Sequence, residues 1–220
     1  MYWQLLPHAT ICAASDRLIL LDRRQDRYLM VPGRIADSVT DWLMAEATKD
    51  APETLIELLQ IGGTLGKDDP QPSNADRVEV AVPQTLAAGI AVRDIDGSRN
   101  LLSIIRLVAG TWLGLRSRGF DHMLRRIDRQ AVAISATTSA AALTGIAAYD
   151  RERRYVPLAR NCLLDSLAQY RWLDRAGIGC RLVFGVTGAP FAAHCWLQSD
   201  DTILNDSYEH VSRFTPILAL

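Results

Sequence analysis

Arg160-Asn161-Cys162-Leu163-Leu164-Asp165-Ser166-Leu167-Ala168 decides how the C-terminal half of this chain folds. Asn161 is a helix-capping residue type, and the apolar residues after it recur at helical spacing. The spacing predicts a helix over 162–175 that stops before Gly177. The chain then turns to strand-like runs: 180–186, 192–198 and 202–205. Thr187-Gly188-Ala189-Pro190 and Ser199-Asp200-Asp201 make the turns between them. A helix followed by antiparallel strands indicates an α+β fold.

Three residues with chemical potential fall on these elements in order. Cys162 opens the helix, His194 lies in the second strand-like run, and Asp206 follows the third. A free cysteine titrates near ~8.5, so little of it is thiolate at neutral pH. A helix N-terminus and a neighbouring imidazolium both favour the thiolate. Side chains alternate along a strand, so His194, Trp196 and Gln198 share one face and Ala193, Cys195 and Leu197 the other. The next hairpin returns the chain so that Asp206 can orient the far nitrogen of His194. A thiol nucleophile, an imidazole base and a carboxylate are the parts of a papain-type cysteine hydrolase. Asn205 and Asp200 compete for the third role. Cys195 and Cys180 are weaker nucleophile candidates, because both lie in strand patterns, and the Cys195 side is expected to hold its thiol away from the site. Cys180, His194 and Cys195 lack paired metal-ligand spacing, so no metal is expected. No P-loop, GxGxxG or GxSxG is present, and no cofactor is expected.

Outward toward the N-terminus, residues 10–14, 17–22 and 27–31 suit a three-stranded antiparallel meander. Pro32-Gly33 breaks that pattern. Ile35, Val39, Trp42 and Leu43 then predict an amphipathic helix over 34–47, and a second helix runs from Pro52 to Gly62. Residues 62–76, rich in Gly and Pro, read as a wing-like turn or linker, and a domain boundary is expected within 70–90. Farther on, Leu101, Leu102, Ile105, Val108 and Trp112 are expected to form one apolar helix face. Phe120, Met123, Leu124 and Ile127 form another, and arginines accompany both.

The 220 residues suit one or two domains. A net charge of −1 gives no global attraction to nucleic acid or anionic membrane. Residues 131–148 barely reach the roughly 18 apolar residues of a membrane span. Five of them are Ser or Thr, so a packed or partly loose soluble segment is expected instead. The four cysteines have no CxxC spacing, and the first residues lack the basic and apolar regions of a secretory signal. A reduced, cytoplasmic setting is expected.

The words around the triad resemble a known family, the lasso-peptide biosynthesis B proteins, leader peptidases with a transglutaminase-like cysteine protease domain. The resemblance is carried by Cys162-Leu163-Leu164-Asp165-Ser166-Leu167-Ala168, Gly177, Leu182-Val183-Phe184-Gly185-Val186 and Phe191-Ala192-Ala193-His194-Cys195-Trp196-Leu197. The closing Asp206 and the tail Phe214-Thr215-Pro216-Ile217-Leu218 add to it, as does the upstream Trp112-Leu113-Gly114-Leu115-Arg116-Ser117-Arg118-Gly119-Phe120. It implies Cys162, His194 and Asp206 as catalytic residues in a domain over 90–220. Residues 1–80 resemble a PqqD-like, winged-helix precursor-recognition element, in which a leader peptide adds as a strand to a small sheet. That implies Tyr28, Leu29, Met30 and Val31 on the strand, and Ile35, Val39 and Trp42 on the helix, as leader-binding residues. The implied partners are a ribosomal precursor peptide and an asparagine-synthetase-like lasso cyclase that consumes ATP. A transglutaminase-like acyl transferase and a non-catalytic adaptor remain open as alternatives.

Overall fold

The computed structural model describes residues 2–45, 51–61, 63–68, 85–86, 98–128 and 140–220. Most of the boundary expected within 70–90, residues 69–76 of the expected turn, the end of the helix expected over 34–47, and residues 131–139 lie outside the described residues.

In chain order the first elements are β1 (Tyr2–Leu5), β2 (Ala9–Ala14), β3 (Arg17–Asp22), β4 (Arg27–Met30), α1 (Gly33–Met44), α2 (Glu53–Ile61) and β5 (Leu65–Asp68). The meander forms as expected: β2, β3 and β4 lie in that order, antiparallel, with Cys12 opposite Ile19 and Leu20 opposite Leu29. Ser15 and Asp26 make its turns with positive φ of 57° and 49°. The buried carboxylate of Asp22 takes the backbone N–H groups of Arg24 and Gln25 at 3.0 and 3.2 Å, which fixes the second turn. Residues 65–68, expected in a turn, instead pair with β1 as a two-stranded antiparallel sheet, with Trp3 opposite Lys67. Leu5, Leu18, Leu20, Val39, Leu55, Leu59 and Leu65 close one core.

The later elements are β6 (Thr85–Leu86), α3 (Ser98–Arg118), α4 (Phe120–Asp128), α5 (Ala140–Arg153), α6 (Cys162–Arg175), β7 (Arg181–Thr187), β8 (Ala192–Ser199), β9 (Thr202–Ile203), α7 (Tyr208–Val211) and β10 (Thr215–Ala219). Five strands form one sheet in the order β10-β7-β8-β9-β6, with β8 antiparallel to β9 and β6 parallel to it. The fold is α+β, as the element order predicts. The apolar face expected on α3 is displaced: Ile104, Leu107, Val108 and Thr111 are buried, while Leu102 and Trp112 are exposed. The exposed Trp112 ring carries the Arg116 guanidinium, 5.5 Å from its centroid. The expected face of α4 is buried throughout. No helix among the described residues is long and apolar enough to cross a membrane.

Compactness divides the chain into two units. One is Met1–Glu79 with Gly185–Ala193 and Thr215–Leu218; the other is Val80–Phe184 with His194–Phe214 and Ala219–Leu220. Within the first, the β7–β8 turn lies against the β2–β3 turn. A Cβ on Gly188 would stand 2.4 Å from the carbonyl oxygen of Ala14, so only glycine fits there. Tyr28 and Phe191 also meet, with ring centroids 5.5 Å apart.

Within the second unit, charge fixes the start of α6. The Arg153 side chain is 1% exposed, and its guanidinium holds Asp165, in the first turn of α6, at 2.7 Å. It also donates to the carbonyl oxygens of Val156 and Leu158, while Arg160 takes the other Asp165 oxygen at 3.0 Å. A buried charge is tolerated when it is paired and its donors are filled in this way. At the far end, Gly177 adopts φ +72° and Ile178 N–H closes on Leu173, a glycine stop to the helix.

Candidate active site

Asn161 caps α6 from an extended backbone, its Oδ1 accepting the Leu164 N–H at 2.7 Å. Cys162 is therefore the first helical residue, and it is exposed. His194 comes from β8 and is half-buried. Its Nε2 meets Asp206 Oδ2 at 2.5 Å, and the Cys162 sulfur is close enough to raise its pKa. Helix α6, strand β8 and the segment after β9 thus bring Cys162, His194 and Asp206 into one cluster.

The two competitors for the third position are engaged elsewhere. Asn205 accepts the Leu197 N–H at 2.8 Å and donates to Ser166 Oγ at 2.9 Å. Asp200 turns the chain with φ 48°, and its carbonyl accepts from Gln198. Ser166 in turn donates to the Cys195 carbonyl at 3.1 Å, so the first turns of α6 are tied to β8 at the residue after His194.

Charge is distributed to match. The Cys162 thiol is lowered to about 4 by hydrogen bonds from the Cys195 thiol and the His194 ring, with help from the Cys195 N–H, against the opposing effect of burial. Burial alone would pull His194 down, but Asp206 and Cys162 together raise it to about 9. Asp206 is held at about 2, since donation from His194, Ser207 N–H and His210 outweighs its burial. Between those limits the site is a thiolate beside an imidazolium, with an ionised carboxylate behind it. Such a pair can attack a carbonyl carbon and then supply a proton to the leaving group.

The expected seclusion of Cys195 does not hold. Its thiol and its N–H both reach Cys162. Alternation alone would part Cys195 from His194, but Ser166 ties α6 to the Cys195 carbonyl, and Cys162 at the helix start interacts with both residues.

His210 is a site residue with no counterpart in the sequence reasoning. Its Nδ1 donates to Asp206 at 3.0 Å, and its ring lies 4.5 Å from that of His194. The signal was local: His210 stands four residues after Asp206, and the intervening Ser207 caps α7 by accepting the His210 N–H. Phe214 closes the group, 5.2 Å from His194 and edge-on to His210. Ligand atoms of His194, Asp206 and His210 all lie within 4.8 Å of one another, close enough to hold a metal ion. The carboxylate already accepts from both rings, so hydrogen bonding alone accounts for the cluster. Cys180 is buried away from it, with burial pushing its thiol to about 12. A separate cavity of about 100 Å³, lined by Arg118, Arg126, Tyr170 and Arg171 from α3, α4 and α6, contains none of the triad.

The seven expected leader-binding residues divide by exposure. Val31, Ile35, Val39 and Trp42 are buried in the first unit's core. Tyr28 and Leu29 are half-buried and Met30 is 49% exposed, all on β4, an edge strand of the three-stranded sheet.

No curated protein and no solved structure matched the chain in comparison searches. A family match does cover the triad and the elements that carry it: the Transglutaminase-like superfamily fits residues 106–219, more than half of the sequence. The ordered cysteine, histidine and aspartate thus sit in a recognised setting, and the chain belongs to the transglutaminase-like superfamily.

Proposed function

We propose that this protein is a cysteine peptidase that removes the leader from a ribosomal precursor peptide in lasso-peptide maturation. The observation that carries the reading is the Cys162–His194–Asp206 chain, with its charge-separated thiolate and imidazolium. Cys162 attacks the carbonyl carbon of the leader–core bond. The backbone N–H of Cys162, at a helix N-terminus, helps to hold the oxyanion. His194 gives its proton to the departing core amine, leaving the leader as a thioester on Cys162. Water, deprotonated by His194, then releases it. Asp206 keeps the imidazole oriented and its charge compensated.

Substrate capture falls to the N-terminal elements. β4, at the edge of the three-stranded sheet, suits addition of an extended leader as a further strand, with Tyr28, Leu29 and Met30 on it. Residues 1–80 would serve recognition and residues 90–220 catalysis. The product core peptide would pass to an asparagine-synthetase-like cyclase, and the setting would be the cytoplasm. This chemistry uses the chain's own groups.

The second reading is acyl transfer to an amine, because the same thioester serves both reactions. Incubation with leader-bearing peptides, read by mass spectrometry with and without an added primary amine, distinguishes them. Free leader acid supports the peptidase, and a leader–amine adduct supports transfer. Cleavage unchanged in Cys162→Ala would overturn both and leave a precursor-delivering adaptor.

A further inference from the structure

Cys162 and Ser166 stand four residues apart on α6, so they share one face of that helix. Ser166 Oγ lies 3.1 Å from the Cys195 carbonyl, which presses that face onto β8 at Cys195. Asn205 holds Ser166 there at 2.9 Å and is itself fixed by the Leu197 N–H. One helical turn before Ser166, Cys162 therefore faces the same stretch of β8, and its sulfur and the Cys195 thiol are close enough to perturb each other's ionisation. The partners differ in access: Cys162 is exposed, whereas Cys195 is 3% exposed. Neither of the other two cysteines shares this place. Cys12 is on β2, and Cys180 is buried just before β7.

We propose that Cys162 and Cys195 form a peroxide-reactive dithiol, a modification site in which Cys162 is oxidised by a hydroperoxide and Cys195 resolves it to a disulfide. The steps balance. The Cys162 thiolate attacks one oxygen of the O–O bond, giving a sulfenic acid and releasing the other oxygen as hydroxide or alkoxide. The Cys195 sulfur then displaces the sulfenic hydroxyl. The S–S bond forms, the proton from Cys195 joins the departing oxygen, and water leaves. Two thiols are oxidised as one peroxide is reduced. Reactive thiolates that are exposed and adjacent to a second cysteine are the ones that follow this course. A disulfide has an S–S length of about 2.05 Å, and the two neighbouring sulfurs must approach to that length to form it. The disulfide removes the nucleophile, so the modified protein is inactive in any reaction of Cys162 until a thiol reductant restores it.

The test reads masses and does not depend on which acyl substrate the enzyme uses. Purified protein is treated with a few equivalents of hydrogen peroxide, alkylated, digested and mapped. The expected result is loss of two alkylatable thiols per chain, a Cys162–Cys195 cross-linked peptide, and recovery of both thiols with a dithiol reductant. Cys195→Ala, with Cys195→Ser as a second variant of similar size, should instead carry Cys162 to sulfinic and sulfonic acids that the reductant does not reverse. Over-oxidation of Cys162 in the unmodified protein to the same extent as in both variants would overturn the proposal. So would a disulfide that joins Cys162 to Cys12 or Cys180.

Discussion

Replacing Asp206 with Asn removes the charge that keeps His194 protonated in alkaline solution. In the intact site His194 sits at about 9, against an ordinary 6.5. The amide keeps the size of the side chain and much of its hydrogen bonding but carries no charge. The imidazole then falls toward 6.5, with the Cys162 thiolate still supporting it from the other side. A group at about 9 is roughly 90% protonated at about pH 8, and one at 6.5 about 3%. Protonation alone therefore costs up to about thirtyfold in turnover at about pH 8 and almost nothing at about pH 5.5. Loss of orientation adds a further factor that does not vary with pH. The assay is kcat/KM for cleavage of a leader-bearing peptide across that range, with the ratio between the two ends as the readout. The alkaline limb should move from about 9 toward 6.5, while the acid limb, set by Cys162 at about 4, should remain well below neutrality. Equal loss at both ends, or an unmoved alkaline limb, would refute the assignment of Asp206 as the group that raises His194.

Two stability predictions concern the start of α6. Asn161→Ala removes the cap on Leu164 N–H and should cost about 1 kcal/mol in urea unfolding, with a smaller share of Cys162 as thiolate at mildly acidic pH. Asp165→Asn leaves the almost fully buried Arg153 without its carboxylate and should cost about 3–5 kcal/mol, seen as a large drop in the unfolding midpoint. A drop no larger than that of an exposed pair, about 1 kcal/mol or less, would mean that Arg153 reaches water.

The helix start and the three strand runs that follow the helix were legible because both have local causes. Asn161 caps whichever helix follows it, and Gly177 stops it. The turns at Gly188 and Asp200 separate the strands on either side. The order of Cys162 and His194 then suggested a thiol–imidazole pair, while Asp206 competed with Asn205 and Asp200 until its bond to His194 was seen. What one strand's pattern could not convey was the layer above it. Alternation puts Cys195 opposite His194, but only packing ties α6 to β8 at Cys195, through Ser166 and Asn205. The same limit applied to α3, where periodicity allowed several apolar stripes and packing buried the one through Ile104 and Thr111. In the N-terminal unit, Ile35, Val39 and Trp42 read equally as groove or core, since both are apolar; burial places them in the core. His210 escaped notice because a histidine in a short turn has no signature until the carboxylate it serves is known.

The central claim is that Cys162 stands as a thiolate paired with an imidazolium, and the rate at which it is alkylated by iodoacetamide measures this without any substrate. Peptide mapping assigns the label to Cys162 at each pH. With Cys162 at about 4 and His194 at about 9, the rate should be nearly flat from about pH 5 to about pH 8. A rate that instead rises about tenfold per pH unit toward 9.0, as for an ordinary thiol, would contradict the account.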